Sequence, residues 1–160
     1  MWKRWKKMKK RNNILDQITF RAFRKKDFPE ILKLWQLCGM GGEERGDTAE
    51  TILKCNSHGG YFVVLECTSQ KIIIGTSWMT WDGRRIYLHH FCIHPEYRGK
   101  GFGKLLGHEC LRFIAKKGAQ VKLEVHKNNQ IAKKIYEKLG FFAFTDYDIY
   151  MIREVKKISP

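Results

Sequence analysis

The sequence predicts an α/β fold, built on a central mixed but mostly antiparallel sheet with helices on both faces. Three observations predict it. Residues 61–93 read as three successive β-rich runs joined by short polar turns. An amphipathic helix bounded by glycines and a further strand come next, a strand–helix–strand unit that calls for a parallel pair. Helical stretches lie both before and after the meander, so each face of the sheet has a helix to cover it.

Taken in order, Gln17 to Phe23 alternates enough for a first strand. Asp27 is placed to cap a helix with Pro29 near its start and with Ile31, Leu34, Trp35 and Cys38 on one face. The glycine-rich stretch Gly39 to Gly46 ends that helix, and a short second one covers Thr48 to Cys55. Tyr61 to Cys67 and Lys71 to Met79 are rich in β-branched and aromatic residues and flank a Thr-Ser-Gln turn. After Asp82-Gly83, Arg85 to Ile93 completes the meander, and His94-Pro95 stops it because proline cannot continue the ladder.

Gly101 then opens a helix in which Leu105, Leu106, Cys110, Phe113 and Ile114 recur at helical spacing, and Gly118 is its natural stop. Val121, Leu123 and Val125 alternate as a strand. Asn128 or Asn129 caps a helix carrying Ile131, Ile135 and Leu139 on one face, ended by Gly140. Two last strands are expected, around Phe141 to Phe144 and over Tyr147 to Glu154. The predicted order is β-α-α-β-β-β-α-β-α-β-β.

The 160 residues suit one domain. Residues 1–16 read as a basic, disordered arm and 17–156 as the domain. No apolar run approaches the ~20 residues needed to cross a bilayer. The basic start lacks the apolar stretch of a secretory signal. Five cysteines (Cys38, Cys55, Cys67, Cys92, Cys110), odd in number and without a CxxC pair, suit a reduced cytoplasmic protein. The net charge of +15 owes much to seven lysines and arginines in residues 1–11, where there is no acid. Such a surface favours anionic partners, and the arm offers a weak contact for polyanions. Trp2, Trp5 and Met8 recur every third residue in it, a spacing that also suits an amphipathic surface anchor.

Chemistry concentrates in the segment from Arg98 through Gly99, Lys100, Gly101, Phe102, Gly103 and Lys104, between a strand and a helix. Three glycines let backbone N–H groups converge, and the helix start adds partial positive charge, which together suit a diphosphate. Arg98, Lys100 and Lys104 reinforce it. A P-loop would need a GKS or GKT ending, and a dinucleotide fingerprint a glycine where Lys104 stands. Neither is present.

Phe91-Cys92-Ile93-His94-Pro95-Glu96-Tyr97 followed by Arg98-x-x-Gly101-x-Gly103 resembles the coenzyme A-binding motif of the GCN5-related N-acetyltransferase (GNAT) superfamily. Asn129-x-x-Ala132-x-x-x-Tyr136 followed by Leu139-Gly140-Phe141 is similar to that family's second signature, and the two stand in the family's order. The resemblance spans residues 18 to 154. It implies the three-layer α/β/α acyl-CoA N-acyltransferase fold and transfer of acetyl from acetyl-CoA to a primary amine by direct attack. By position, the backbone of Phe91, Cys92 and Ile93 would hold the pantetheine and the thioester carbonyl. The loop from Gly99 to Lys104 would take the diphosphate, Asn129 the cofactor arm, and Tyr136 would stand near the sulfur. The acceptor would be a small-molecule amine, a peptide N-terminus or a lysine, and the protein a monomer or homodimer. The other function class is a non-catalytic acyl-CoA-binding or nucleic-acid-binding regulator on the same fold.

Acetyl transfer needs a deprotonated amine, donors for the developing oxyanion and a proton for the leaving thiolate. Proton transfer from a phenol near ~10 to a thiolate of ~8.5 is uphill, so Tyr136 would act as a positioned donor. Glu124 is the candidate base, with spacing to Asn129 and Tyr136 similar to that in bacterial ribosomal-protein N-terminal acetyltransferases. His89, His90 and a base acting through water are the rivals. Strand alternation sends His89 to the face opposite His90, Cys92 and His94, and no zinc pattern fits these residues, so no metal is expected. Trp35 reads as core, and Trp78 and Trp81 as sheet packing or an acceptor-pocket wall. Acids gather at Glu43, Glu44, Asp47 and Glu50 and at Asp146 and Asp148, either to draw in a cationic amine or to cap a helix and solvate loops.

Overall fold

The computed structural model describes residues 17–41 and 43–154; the basic arm expected over 1–16 lies outside them. Five strands form one sheet in sequential order, β1 (Ile18–Ala22), β2 (Tyr61–Cys67), β3 (Ile72–Trp81), β4 (Arg85–Ile93) and β5 (Gln120–Leu123). The first four are antiparallel, and β4 and β5 run parallel, as the strand–helix–strand unit requires. Helices α1 (Phe28–Leu37) and α2 (Ala49–Ser57) pack on one face, and α3 (Phe102–Lys117) and α4 (Gln130–Lys138) on the other.

Alternation along β2 makes both cores. Val63, Leu65 and Cys67 join Phe102, Leu106 and Cys110 of α3, whereas Phe62 and Val64 join Ile31, Leu34 and Trp35 of α1 and Ile52 of α2. Trp35 is fully buried, and its Nε1 donates to Thr76 Oγ1 at 3.0 Å, so the polar edge of the indole is satisfied. Trp78 is core as well: it packs on Phe62 and donates to Cys55 Sγ at 3.2 Å. Trp81 is half-buried under Lys117, whose Nζ sits 5.0 Å from the ring centroid.

Caps set the helix boundaries. Thr48 accepts from Thr51 N–H at 3.1 Å, and Asn129 accepts from Ala132 N–H at 3.1 Å, each offsetting an orphan donor worth about 1 kcal/mol. Gly118 ends α3 with φ +65, a left-handed stop. Asp27 holds the N-cap position of α1 but does not cap it with its side chain. Its buried carboxylate instead accepts from Arg24 N–H at 2.8 Å and from the Arg21 guanidinium, which also pairs with Glu66. This triad ties β1, β2 and the entry to α1 together.

One expectation is corrected outright. The strands predicted at Phe141 to Phe144 and Tyr147 to Glu154 do not form: residues 141–154 contain neither strand nor helix. Phe142, Phe144, Tyr147, Ile149, Tyr150, Met151 and Ile152 are all exposed. The β-propensity of such residues expresses packing on a partner strand and a half-buried face, and this stretch has neither.

Candidate active site

The strand next to the glycine loop carries a bulge. Thr76 faces Cys92 but Trp78 faces His89, so β4 contains one residue more than β3 across that step. His90 takes up the excess with φ +46, a left-handed conformation uncommon for a non-glycine residue. Buried hydroxyls hold it there: Thr76 Oγ1 donates to His90 O at 3.1 Å, and Ser77 Oγ lies 3.5 Å from His89 O.

The bulge overturns the expected alternation of the histidines. Ile86, Leu88, Phe91 and Ile93 all belong to the α3 side, so the step from 88 to 91 returns to the same face. His89 and His90 therefore share the opposite face, and both rings lie against Trp78, at 6.0 and 5.7 Å. His90 stacks on Trp35 at 4.2 Å, and its Nε2 lies 3.1 Å from Asp47 Oδ2. Its Nδ1 is buried and has no partner among the described residues. Burial holds His90 below its ordinary pKa, against the opposing pull of Asp47. His89 is held lower, at about 4, first by burial and then by the charges of His90 and Lys122. Its Nε2 meets Thr80 Oγ1 at 3.0 Å.

This depression fixes a stability trend. With its folded pKa below the unfolded value, His89 stays neutral in the native state while the unfolded chain takes up a proton below about 6.5. Stability is therefore present above that pH and lost as pH falls toward about 4. Urea unfolding should show His89 accounting for roughly 1–2 kcal/mol of the loss between pH 7 and 5, after allowance for its partial exposure. His89→Gln should flatten the profile by that amount; an unchanged slope would mean the imidazole is not held neutral.

Beyond the bulge, β4 and β5 part. Their parallel pairing runs from Arg85 with Gln120 to Leu88 with Leu123 and ends there, leaving Phe91, Cys92 and Ile93 without a β5 partner. Glu124 lies one residue past β5, exposed, on the same face as Tyr87, His89 and His90. Tyr87 is a neighbour of Glu124; burial first and then this carboxylate raise the phenol's pKa well above its usual value. On the other face Tyr136 is buried, edge-on to Phe91 at 5.6 Å and to Phe141 at 5.7 Å. Burial raises its phenol pKa as well, which keeps the proton on the oxygen.

The glycine loop has the geometry of an anion cradle. Gly99 and Gly101 take φ +74 and +88, and a Cβ at either would meet nothing within 4 Å. Gly101 is the N-cap of α3 and offers no side-chain cap. Helix bonding begins with Leu105 N–H to Gly101 O at 3.2 Å, so the N–H groups of Phe102, Gly103 and Lys104 have no partner within the helix. A diphosphate fits such a set of free donors at a positive helix end. Phe102 itself is core, and Lys100 reaches back over the Tyr97 ring at 5.1 Å. Arg98 is engaged elsewhere: its Nε donates to Ile93 O at 2.9 Å and its Nη2 to Cys38 Sγ at 3.3 Å. Asn129 accepts from the first turn of α4.

The Acetyltransferase (GNAT) family profile matches residues 28–141. The chain belongs to the GNAT acetyltransferase family. Among solved structures, it is similar to an acetyltransferase from Streptococcus agalactiae, with a TM-score of 0.73 at 16% identity, over 85% of this chain and 91% of that one. It is also similar to AAC(6')-Iy in complex with the bisubstrate analogue CoA-S-monomethyl-acetylneamine, with a TM-score of 0.68 at 18% identity, over 84% and 97%. A third is the ribosomal-protein-S18-alanine N-acetyltransferase from Escherichia coli, with a TM-score of 0.67 at 20% identity, over 80% and 79%. At these identities the likeness shows a shared fold.

Three residues of this region escaped the sequence reading: Thr76 and Ser77 behind the bulge, and Tyr87 beside Glu124; Asp47, expected among the acids that draw in an amine, was not expected to face His90. Their only signal is non-local pairing. Of the acids between the first helices, Glu50 pairs with Lys25 at 2.8 Å, Glu44 lies 3.9 Å from Arg45, and Asp47 faces His90. Asp146 and Asp148 are exposed in the segment 141–154, which forms no strand. Among the described residues no cluster of histidine, cysteine and carboxylate could hold a metal, and no helix is long and apolar enough to cross a membrane.

Proposed function

We propose that this GNAT protein transfers an acetyl group from acetyl-CoA to a primary amine by direct attack. The observation that carries the reading is one strand, β4, parted from β5 beside Phe91 to Ile93 and running into a loop of unpartnered N–H groups at the start of α3. Phe91, Cys92 and Ile93 line the pantetheine through their backbone. Gly99 to Lys104 hold the diphosphate, with Lys100 and Lys104 adding charge and Arg98 bracing Ile93 from behind. Asn129 starts α4 beside the cofactor arm.

Glu124 takes the proton of the incoming ammonium. What supports it over the histidines is access: its carboxylate is exposed, whereas His90 has one nitrogen on Asp47 and the other buried. His89, held at about 4, is a weak base near neutral pH. Tyr136 keeps its proton and donates to the leaving sulfur. The acceptor is a cationic amine, a small molecule or a peptide N-terminus or lysine. The setting is reduced and cytoplasmic, and the basic arm adds a weak polyanion contact.

A thiol-release assay with acetyl-CoA and a panel of amino sugars, polyamines and peptide N-termini tests the reading. At least one amine should raise thiol release more than about 10-fold over solvent hydrolysis, with mass spectrometry placing acetyl on its nitrogen. Tight acetyl-CoA binding with no amine accelerating release would favour the non-catalytic regulator.

A further inference from the structure

Cys38, at the C-cap of α1, and Cys92, on β4, share one packed cluster, and the Cys38 sulfur reaches the backbone of Ile93, the residue next to Cys92. Arg98 Nη2 lies 3.3 Å from Cys38 Sγ, and Cys38 Sγ lies 3.6 Å from Ile93 O. Cys92 is buried against Thr76 Oγ1 at 3.4 Å, while Cys38 is half-exposed. The proposed acetyl transfer uses neither thiol side chain.

A cation beside a partly exposed sulfur is the setting in which a cysteine becomes a nucleophile. Here the neighbouring Cys92 thiol, then Arg98, bring Cys38 down to about 6 against the opposing effect of burial. The other described thiols lack that setting. Cys110 is buried and pushed up to about 12, Cys67 is buried, and the Cys55 sulfur receives the Trp78 indole N–H.

We propose that Cys38 and Cys92 form an oxidisable dithiol, in which Cys38 attacks small-molecule disulfides and Cys92 resolves the adduct into a Cys38–Cys92 disulfide. In the first step the Cys38 thiolate attacks one sulfur of R–S–S–R, forms Cys38–S–S–R and expels RS⁻. Capping Cys38 removes from Cys92 the neighbouring thiolate that, with burial, holds its proton in place. Cys92 then releases that proton to solvent and attacks Cys38 Sγ, expelling the second RS⁻. Two protein thiols are oxidised, one small disulfide is reduced to two thiols, and no other oxidant enters. The product ties the end of α1 to β4 and takes away the sulfur anion that faces Arg98.

The test treats the full chain with 2-hydroxyethyl disulfide at neutral pH, followed by acid quenching, alkylation and peptide mapping. The wild type should lose two free thiols and yield a Cys38 peptide joined to the Cys92 peptide. Cys92→Ser should stop at one small-thiol adduct on Cys38, and Cys38→Ser should form neither product. A linkage between other cysteines, an adduct elsewhere, or wild-type protein that stops at the adduct would overturn the proposal. Because Cys92→Ser alters the core, the pH dependence of Cys38 alkylation in the wild type is measured as well. A midpoint near 6 supports the pair, and one in the ordinary thiol range overturns it. These readouts need no acetyl-CoA, so they stand or fall apart from the proposed activity.

Discussion

Gly101→Val should lower acetyl-CoA affinity by about 10²-fold or more while leaving a folded protein. Gly101 sits at φ +88, where a β-branched side chain is strained, and it is the residue from which the first turn of α3 departs. The substitution meets no protein atom within 4 Å, so its cost to the fold is the backbone strain of about 1–2 kcal/mol. The ligand is affected twice. Relief of the strain turns the N–H groups of Phe102 to Lys104 away from a common point, and the new side chain fills the space a diphosphate would occupy. Position 103 is a poorer probe, because a Cβ there lies 3.2 Å from Ile135 Cδ1 and would disturb the docking of α4. Calorimetric titration beside a thermal melt separates the effects. A folded Gly101→Val protein binding within a few-fold of wild type would move the diphosphate elsewhere.

The elements that place this loop are legible in the sequence because their signals are local. Glycines at 101 and 118 bracket α3, Thr48 and Asn129 carry their own cap bonds, and β2 and β4 end where the turn residues and Pro95 dictate. The bulge has no local signal. It depends on Thr76 and Ser77 reaching across from β3, and without it the period-two rule puts His89 on the wrong face. The bracing role of Arg98 is likewise non-local, since Cys38 is sixty residues away. The tail failed for the opposite reason. Its residues favour strands, but a strand needs an edge to pair with, and β5 is only four residues long.

The second large effect concerns the base. Glu124→Gln should reduce kcat by about 10²-fold, with the KM for acetyl-CoA nearly unchanged, because glutamine keeps the shape of the group but cannot take the ammonium proton. Tyr87→Phe should lose much less, since it removes a polar neighbour of the carboxylate and leaves the carboxylate itself in place. Tyr136→Phe keeps the edge-on contacts with Phe91 and Phe141 and removes only the hydroxyl proposed as donor to the leaving sulfur, so kcat should fall by about 10-fold or more while acetyl-CoA still binds. His89→Gln is the comparator on β4, facing the same side as Glu124. If Glu124 is the base, this change leaves kcat within a few-fold of wild type and the pH–rate profile in place. The reverse pattern, full rate in Glu124→Gln and a collapsed rate in His89→Gln, would put the base on the bulged strand. Acetyl transfer would then require the half-buried imidazole to leave Thr80 during turnover.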